Sequence, residues 1–527
     1  MSAHPQVALI EAKHSGLRHW MQRVLKQCTQ VQRSFSADPV HDLRVALRRC
    51  RSIASGVAEV DSDPAWREMR RESRRLFRKL GALRDLHVQA EWVHTLFSAS
   101  DPLRQALLEG IGSRENDLRV ETAAALEGFD RKRWQAWTRA LPERARRLPL
   151  NGLVAQHLAL ERLEEAQSIH RRALRNRNPA AWHELRIGLK RFRYTVENFL
   201  PERYSVWAKE LKRLQDLLGE VHDLDLLRES MPQAGPASDS QAHARWNEVI
   251  EHERQSRLDE YRREMAGRSA LWPVWRGELP QGPRLEAAAF AKLTAWAAYL
   301  DPDVVHARHV ARLALHLFDG LAASGRNGPF SSPRSRRLLH AAALLHGVGR
   351  SEGRKRDHKV AFRLISGLEP PLGWTADEIN RVALIARYYR GAEPDEKNKA
   401  FAKLDPGGQR LVTCLGAVLR LAAALDFSRD NSVQGVAVSN GGEFVLVEAA
   451  GWEESQENAA EIGGRKHLLE IVLGIPVIVR AGTVRPGTAR ASTIRATGTV
   501  RTATHISAAQ EPDPPALEIV RRTGTHR

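Results

Sequence analysis

The hydrophobic and polar positions follow a helical period over most of the chain. Near its start, for example, Leu43, Leu47 and Val57 fall on one side of a helix and polar residues fall on the other. Close to the C-terminal end the pattern changes to short apolar runs, at residues 444–447 and 475–479, which indicate strands. The pattern predicts a mainly α protein, built from antiparallel helical bundles, that ends in a small α+β piece.

Two sequence motifs each occur twice, in the same order and at nearly equal spacing. HDLRVALRRCR at residues 41–51 returns as HELRIGLKRFR at 183–193, and LGALRDL at 80–86 returns as LGEVHDL at 218–224. Ordered matches of this kind indicate that the N-terminal half is a duplicated unit.

The polar side of each repeated helix is a stripe of histidine, arginine and lysine. Its members are His41, Arg44, Arg48, Arg49 and Arg51 in the first repeat, and His183, Arg186, Lys190, Arg191 and Arg193 in the second. A following helix adds Arg71, Arg74, Arg75 and Arg78 in the first repeat, and Lys209, Lys212 and Arg213 in the second. Asp38-Pro39 and Asn178-Pro179 are interpreted as helix starts, which places each histidine near a helix N-terminus. We therefore predict that the two stripes line one shared anion-binding groove.

The overall charge fits this prediction, because 81 Lys and Arg against 63 Asp and Glu give a formal net charge of +18. The three cysteines, Cys28, Cys50 and Cys414, form no CxxC pair, which argues against a disulfide framework and against a zinc ribbon. No uncharged apolar run approaches the ~18 residues that a membrane span needs. We expect a cytoplasmic protein that attracts polyanions and does not bind membranes.

The repeated motifs resemble the CHAD family, the conserved histidine α-helical domain, over about residues 9–269. The resemblance implies two bundles, at about 9–140 and 150–269, whose basic residues bind inorganic polyphosphate, and it suggests an association with polyphosphate granules. Nucleic acid is the competing polyanion, but only Tyr194 offers an aromatic ring on the second basic face, whereas single-strand binders stack bases on several rings. The oligomeric state stays open.

Residues 270–287 hold three prolines and two glycines and are interpreted as a linker. Beyond it, residues 288–480 contain AALLHGVG, DHKVAFRLISG and LRLAAALDFS, and they resemble an HD domain, specifically the C-terminal part of the exopolyphosphatase and guanosine-pentaphosphate phosphohydrolase family. The resemblance implies that His306, His346 and Asp426 would hold a divalent metal. However, Gly347 stands where the Asp of the His-Asp pair is expected.

The loss of that carboxylate removes the type of ligand that hard divalent cations prefer. We therefore expect no cofactor, although a divalent metal is conceivable, and a degenerate HD-like domain that is not catalytic. Two other functions remain open: a metal-dependent phosphohydrolase that uses this site, and a nucleic-acid or protein scaffold. Residues 481–527, rich in Thr, Arg, Ala and Pro, are predicted to be a disordered basic tail.

Overall fold

The computed structural model describes residues 16–175, 178–231, 240–268, 270–326, 328–353 and 355–482, which belong to one compact unit. Of the described residues, 76% are helical, and they form 18 α-helices and a three-stranded sheet near the end of the described chain, so the predicted fold class is confirmed. The predicted basic tail begins inside the last strand and otherwise lies outside the described residues.

The first half consists of ten helices. They are α1 (Gly16–Arg33), α2 (Ala37–Val57), α3 (Pro64–Leu96), α4 (Pro102–Glu127), α5 (Arg131–Ala145), α6 (Leu153–Arg175), α7 (Pro179–Phe199), α8 (Pro201–Ser230), α9 (Ser240–Met265) and α10 (Leu271–Gly277).

The second half continues with α11 (Gly282–Leu300), α12 (Val304–Ala323), α13 (Pro333–Leu345), α14 (Asp357–Ser366), α15 (Ala376–Arg387), α16 (Lys399–Ala402), α17 (Pro406–Leu425), β1 (Gly435–Asn440), β2 (Val445–Ala450), α18 (Gln456–Leu473) and β3 (Val477–Gly482). Short 3-10 helices lie at Gly328–Ser331 and Val348–Glu352. In the sheet, β2 is central, antiparallel to β1 and parallel to β3.

The two repeated basic helices, α2 and α7, begin in different ways. Asn178 caps α7 by accepting a hydrogen bond from the Ala180 N–H at 2.9 Å, with a proline in the first helical position, as predicted. Helix α2 starts one residue before the predicted cap Asp38, and its N-cap is Ser36, whose side chain makes no capping bond. A proline in the first turn of α2 is still tolerated, because the first backbone N–H groups of a helix have no intrahelical partner.

Helices α2 and α7 contact each other near their C-terminal ends. The approach depends on Gly56, since a Cβ atom there would lie 2.3 Å from the Phe199 ring. Asn198 Nδ2 donates to Ser52 Oγ at 2.8 Å across the same contact. The buried faces of both repeats belong to one continuous hydrophobic core, so the two basic faces are held in a fixed relation.

Residues 270–287 are packed rather than extended as a linker. They contain α10 and the start of α11, and Trp272 and Trp275 are buried in the core of the first half. The centre of the Trp275 ring lies 5.4 Å from that of the Phe192 ring. This aromatic contact packs the segment against the core, although its prolines and glycines are typical of turns. Composition alone did not show this burial.

Among the described residues, one helix, α17, is long and apolar enough to cross a membrane by length and composition. About 72% of its apolar window is buried inside the protein, where it forms the centre of the core of the second half. This burial is typical of the core helix of a globular protein.

Candidate functional site

The basic faces of α2 and α7 lie next to each other, with Arg44 and Arg48 of α2 close to Arg186 and Lys190 of α7. These four residues define the basic groove. The Arg48 guanidinium carbon lies 5.6 Å from the ring centre of Tyr194, a residue of the opposite helix. The two duplicated cationic faces are therefore neighbours, and their use as one anion-binding groove stays a prediction.

In the basic groove, each positively charged side chain lowers the pKa of its neighbours. Burial, together with the charges of Arg186 and then Arg48, lowers the pKa of Lys190 to about 7. Burial is also the main reason why the pKa of Arg44 is lowered to about 10. The nearby Asp85 carboxylate acts to raise this pKa, and the charge of Arg48 acts to lower it. Positive charge held this close and partly desolvated creates a strong local preference for an anion.

The groove cations have no ion-pair partner among the described residues, and the hydrogen bond that the structure shows for them is the one that Arg44 Nη1 donates to the Phe77 carbonyl at 3.5 Å. The Nε atoms of Arg48 and Arg186 are buried without a hydrogen-bond partner. Buried donors are normally satisfied, so these two atoms are exceptions to that rule.

Two carboxylates that the sequence interpretation did not single out, Asp85 and Asp223, lie beside the groove. Burial raises the pKa of Asp223 to about 6, against the opposing effect of Arg186. Burial also raises the pKa of Asp85, while Arg44 and Arg186 lower it. They occupy equivalent positions in the two copies of the second motif, and this repetition could have identified them from the sequence. Two carboxylates do not neutralise the four groove cations.

The groove extends along α3. The guanidinium carbons of Arg44 and Arg51 lie 4.5 and 4.9 Å from the centre of the Phe77 ring. Burial, together with the charges of Arg74 and Arg70, lowers the pKa of Arg51 to about 10. Arg70 was not among the predicted residues, although it lies one helical turn before Arg74. These residues continue the cationic surface beyond the basic groove.

Several of the predicted stripe residues are engaged with partners outside the groove. The ion pairs are Arg49–Glu197, Arg75–Glu72, Arg191–Glu165 and Arg213–Glu260. Arg193 donates to Gln215 and Tyr204, and Arg75 also donates to the Gly128 carbonyl. The remaining stripe residues, Arg71, Arg78, Lys209 and Lys212, are exposed on α3 and α8.

The stripe histidines lie towards the N-terminal ends of the two helices. Burial, followed by the charge of Arg84, lowers the pKa of His41. His183 Nδ1 lies 3.2 Å from His222 Nδ1, and burial with the charge of Arg186 lowers the pKa of His222 to about 3. These imidazoles are therefore neutral at pH 7 and offer hydrogen bonds rather than charge.

In the second half, the three residues of the predicted metal site lie close together. His306 Nδ1 donates to Asp426 Oδ2 at 2.6 Å, and the ring of His346 lies 5.6 Å from that of His306. His346 is fully buried, and its Nδ1 donates to the Ala343 carbonyl at 2.6 Å.

The space beside Gly347 is occupied by the carboxylate of another residue, Asp301. A Cβ atom on Gly347 would lie 2.1 Å from Asp301 Oδ2. Among the described residues, no group of three or more His, Cys, Asp or Glu side chains is arranged to hold a metal ion. The His306 imidazole is hydrogen-bonded to Asp426, whereas His346 Nε2 and Asp301 Oδ2 are buried without a hydrogen-bond partner.

Comparison with known protein families agrees with both halves of this description. Residues 16–231 match the CHAD domain family, and residues 293–457 match the family described as Ppx/GppA phosphatase, domain III. Both resemblances drawn from the sequence motifs are confirmed. No curated protein matches the chain.

Proposed function

We propose that this chain, in which a CHAD domain is followed by a Ppx/GppA phosphatase domain III, is a cytoplasmic protein that binds inorganic polyphosphate in its basic groove. One observation carries the proposal: Arg44, Arg48, Arg186 and Lys190 converge from two repeats without an ion pair among the described residues. The two family matches support a protein of polyphosphate metabolism. An association with polyphosphate granules follows from such binding.

Polyphosphate suits this groove better than other polyanions. Each of its repeating units carries a charge and oxygen acceptors, which arginine forks bind in bidentate fashion and lysine binds as a point charge. Most of the aromatic rings near the groove already contact an arginine side chain: Phe77 lies under Arg44 and Arg51, and Tyr194 lies under Arg48. Nucleic-acid bases therefore have few free rings on which to stack.

A competition experiment separates polyphosphate from nucleic acid. We expect polyphosphate to displace a bound fluorescent polyphosphate at a lower phosphate concentration than single-stranded RNA does, in fluorescence anisotropy at fixed salt. The affinity should also fall steeply as salt increases, because binding releases condensed counterions. If RNA displaces the probe at the lower phosphate concentration, the protein is a nucleic-acid binder and our choice of ligand is wrong.

We further propose that domain III is not catalytic and needs no metal cofactor. Support comes from Gly347, which supplies no carboxylate next to His346, and from the hydrogen bond that already engages His306. Release of phosphate from polyphosphate should stay at background with added Mg²⁺ or Mn²⁺, and the His346→Ala variant should not differ. Metal-dependent release that this variant abolishes would establish the phosphohydrolase instead.

The buried Lys190 predicts that polyphosphate binding depends on pH. Its pKa is lowered to about 7 by burial and by Arg186 and Arg48, so at pH 8 the free protein holds Lys190 mostly neutral. A bound polyanion favours the charged form, and binding above pH 7 is therefore accompanied by proton uptake. We expect the affinity to fall as the pH rises from 7 to 9, by at most about tenfold per pH unit for one proton.

Titration calorimetry at pH 8, in two buffers with different ionisation enthalpies, measures this proton uptake. The Lys190→Arg variant keeps the positive charge and should show no proton uptake. Because both proteins are titrated with the same ligand, protons taken up by the end groups of the ligand contribute equally to the two measurements. The pKa of Asp223, raised to about 6, adds a dependence in the same direction at lower pH. Equal proton uptake by both proteins at pH 8 would show that Lys190 does not contact the ligand.

A further inference from the structure

A cavity of about 400 Å³ lies between helices α3, α4 and α8 of the first half. Asp85, the carboxylate beside the basic groove, forms part of its wall. The other residues that line the cavity do not belong to the groove. Its volume is in the range of sites that hold small organic ligands.

Much of the cavity wall is apolar. Leu86 of α3, Leu118 of α4 and Leu226 of α8 line it. Leu86 is buried in the hydrophobic core of this region, and Leu118 packs against the same core, so both side chains are held in place. Leucines from three helices favour an organic ligand with an aliphatic part over a bare inorganic ion.

One buried polar atom of the cavity wall has no partner. Gln89 of α3 lines the cavity and is only 7% exposed, and its Oε1 atom is buried without a hydrogen-bond partner. An unpaired buried acceptor costs free energy, because it has lost its hydrogen bonds to water. A ligand that brings an N–H donor into the cavity satisfies this acceptor.

The rim of the cavity carries one cation and one anion on the same helix. Arg114 and Asp117 of α4 both line the cavity, are exposed, and form no ion pair with any described residue. Residues three apart on a helix are neighbours, with about 5–6 Å between their Cβ atoms. The adjacent Glu115 is engaged by His87 and Arg119. Arg114 and Asp117 are therefore both available to a ligand.

A ligand that carries both charges suits this cavity better than a ligand with one. A simple cation would face the Arg114 guanidinium, and a simple anion would face the carboxylates of Asp117 and Asp85. An α-amino acid carries an ammonium group, a carboxylate and a side chain on one carbon atom. These three groups correspond to the anionic, cationic and apolar parts of the cavity.

We infer that this cavity binds an α-amino acid with an aliphatic side chain. Arg114 binds the carboxylate, and Asp117 and Gln89 Oε1 accept hydrogen bonds from the ammonium group. The three leucines contact the aliphatic side chain. The site lies beside the basic groove, and it does not depend on polyphosphate binding there.

Titration calorimetry of the full-length protein with L-leucine tests this site, and we expect one leucine per chain. Isocaproate is leucine without its ammonium group, and isoamylamine is leucine without its carboxylate. Each should bind at least about tenfold more weakly than leucine, because one charged contact is lost and a charge of the cavity is left unpaired. Glycine should also bind at least about tenfold more weakly, because it makes no contact with the apolar wall.

Asp117→Asn removes the anion at the rim and should weaken leucine binding by about tenfold or more. Glu127→Gln is the matched control, because Glu127 is also an exposed carboxylate of α4 but does not line the cavity. This control should change the affinity by less than about twofold.

The Gln89→Met variant separates ligand binding from stability. It removes the unpaired acceptor at similar volume, so leucine binding should weaken while the midpoint of thermal unfolding stays unchanged or rises. Three results would overturn the inference: no saturable binding of leucine, isoamylamine or isocaproate binding as tightly as leucine, or equal losses in the Asp117→Asn and Glu127→Gln variants.

Discussion

Replacing Arg44 and Arg186 together by glutamate weakens polyphosphate binding by about 100-fold or more, since two charge-assisted contacts are lost and two repulsive charges are introduced. The two residues lie close to each other on α2 and α7, and each affects the pKa of the shared neighbour Asp85. Reversal of both charges therefore acts at the centre of the proposed binding surface. Fluorescence anisotropy with labelled polyphosphate at fixed salt measures the effect.

The duplication supplies a matched control, the Arg75→Glu, Arg213→Glu variant. These residues occupy aligned positions on α3 and α8, and each already forms an ion pair with a glutamate outside the groove. The variant makes the same change in net charge and should weaken binding by less than about tenfold. Reversing two arginines of the C-terminal tail, Arg521 and Arg522, gives a second comparison. Equal losses in all three variants would mean that only net charge matters.

Adding a single methyl group at Gly347 destabilises the second half of the protein. The new Cβ atom would lie 2.1 Å from Asp301 Oδ2, a distance that requires the buried carboxylate or the backbone to move. Overpacking of this kind costs about 1–3 kcal/mol. We expect Gly347→Ala to lower the midpoint of thermal unfolding by several degrees, and we expect Asp301→Ala in the same chain to recover much of the loss.

Gly219→Ala is the control for this experiment. Gly219 lies inside α8, and no atom outside its own helix lies within 4 Å of a Cβ placed there. The substitution should leave stability unchanged or raise it by up to about 1 kcal/mol through helix propensity. If Gly347→Ala behaves like Gly219→Ala, or if Asp301→Ala brings no recovery, Asp301 does not fill the space next to Gly347.

Helical periodicity and duplication together predicted from the sequence which basic residues share a helix face. Arg44, Arg48, Arg186 and Lys190 share a face at fixed spacing, and duplication implies that the two faces are related. The inward or outward direction of Arg75 depends on where α4 and α5 pack, because its partners include the Gly128 carbonyl between those helices. Periodicity within one helix carries no information about such tertiary neighbours.

The same limit explains the other differences. The prolines near Trp272 predicted a linker, but the burial of two indole rings depends on the core that receives them. Gly347 showed that a metal ligand was missing. The carboxylate that occupies its place belongs to Asp301, 46 residues earlier in the chain, and no spacing rule connects the two positions. Asp85 and Asp223 were visible as a repeated residue type, yet their position beside the groove follows from how α3 and α8 pack.

The most direct test of the central claim is a structure of the protein crystallised with a short polyphosphate chain. We predict a continuous line of phosphate density in the basic groove, with oxygen atoms within hydrogen-bond distance of Arg44, Arg48, Arg186 and Lys190, from both repeats. Polyphosphate bound elsewhere, or held by residues of only one repeat while the groove stays empty, would contradict the account.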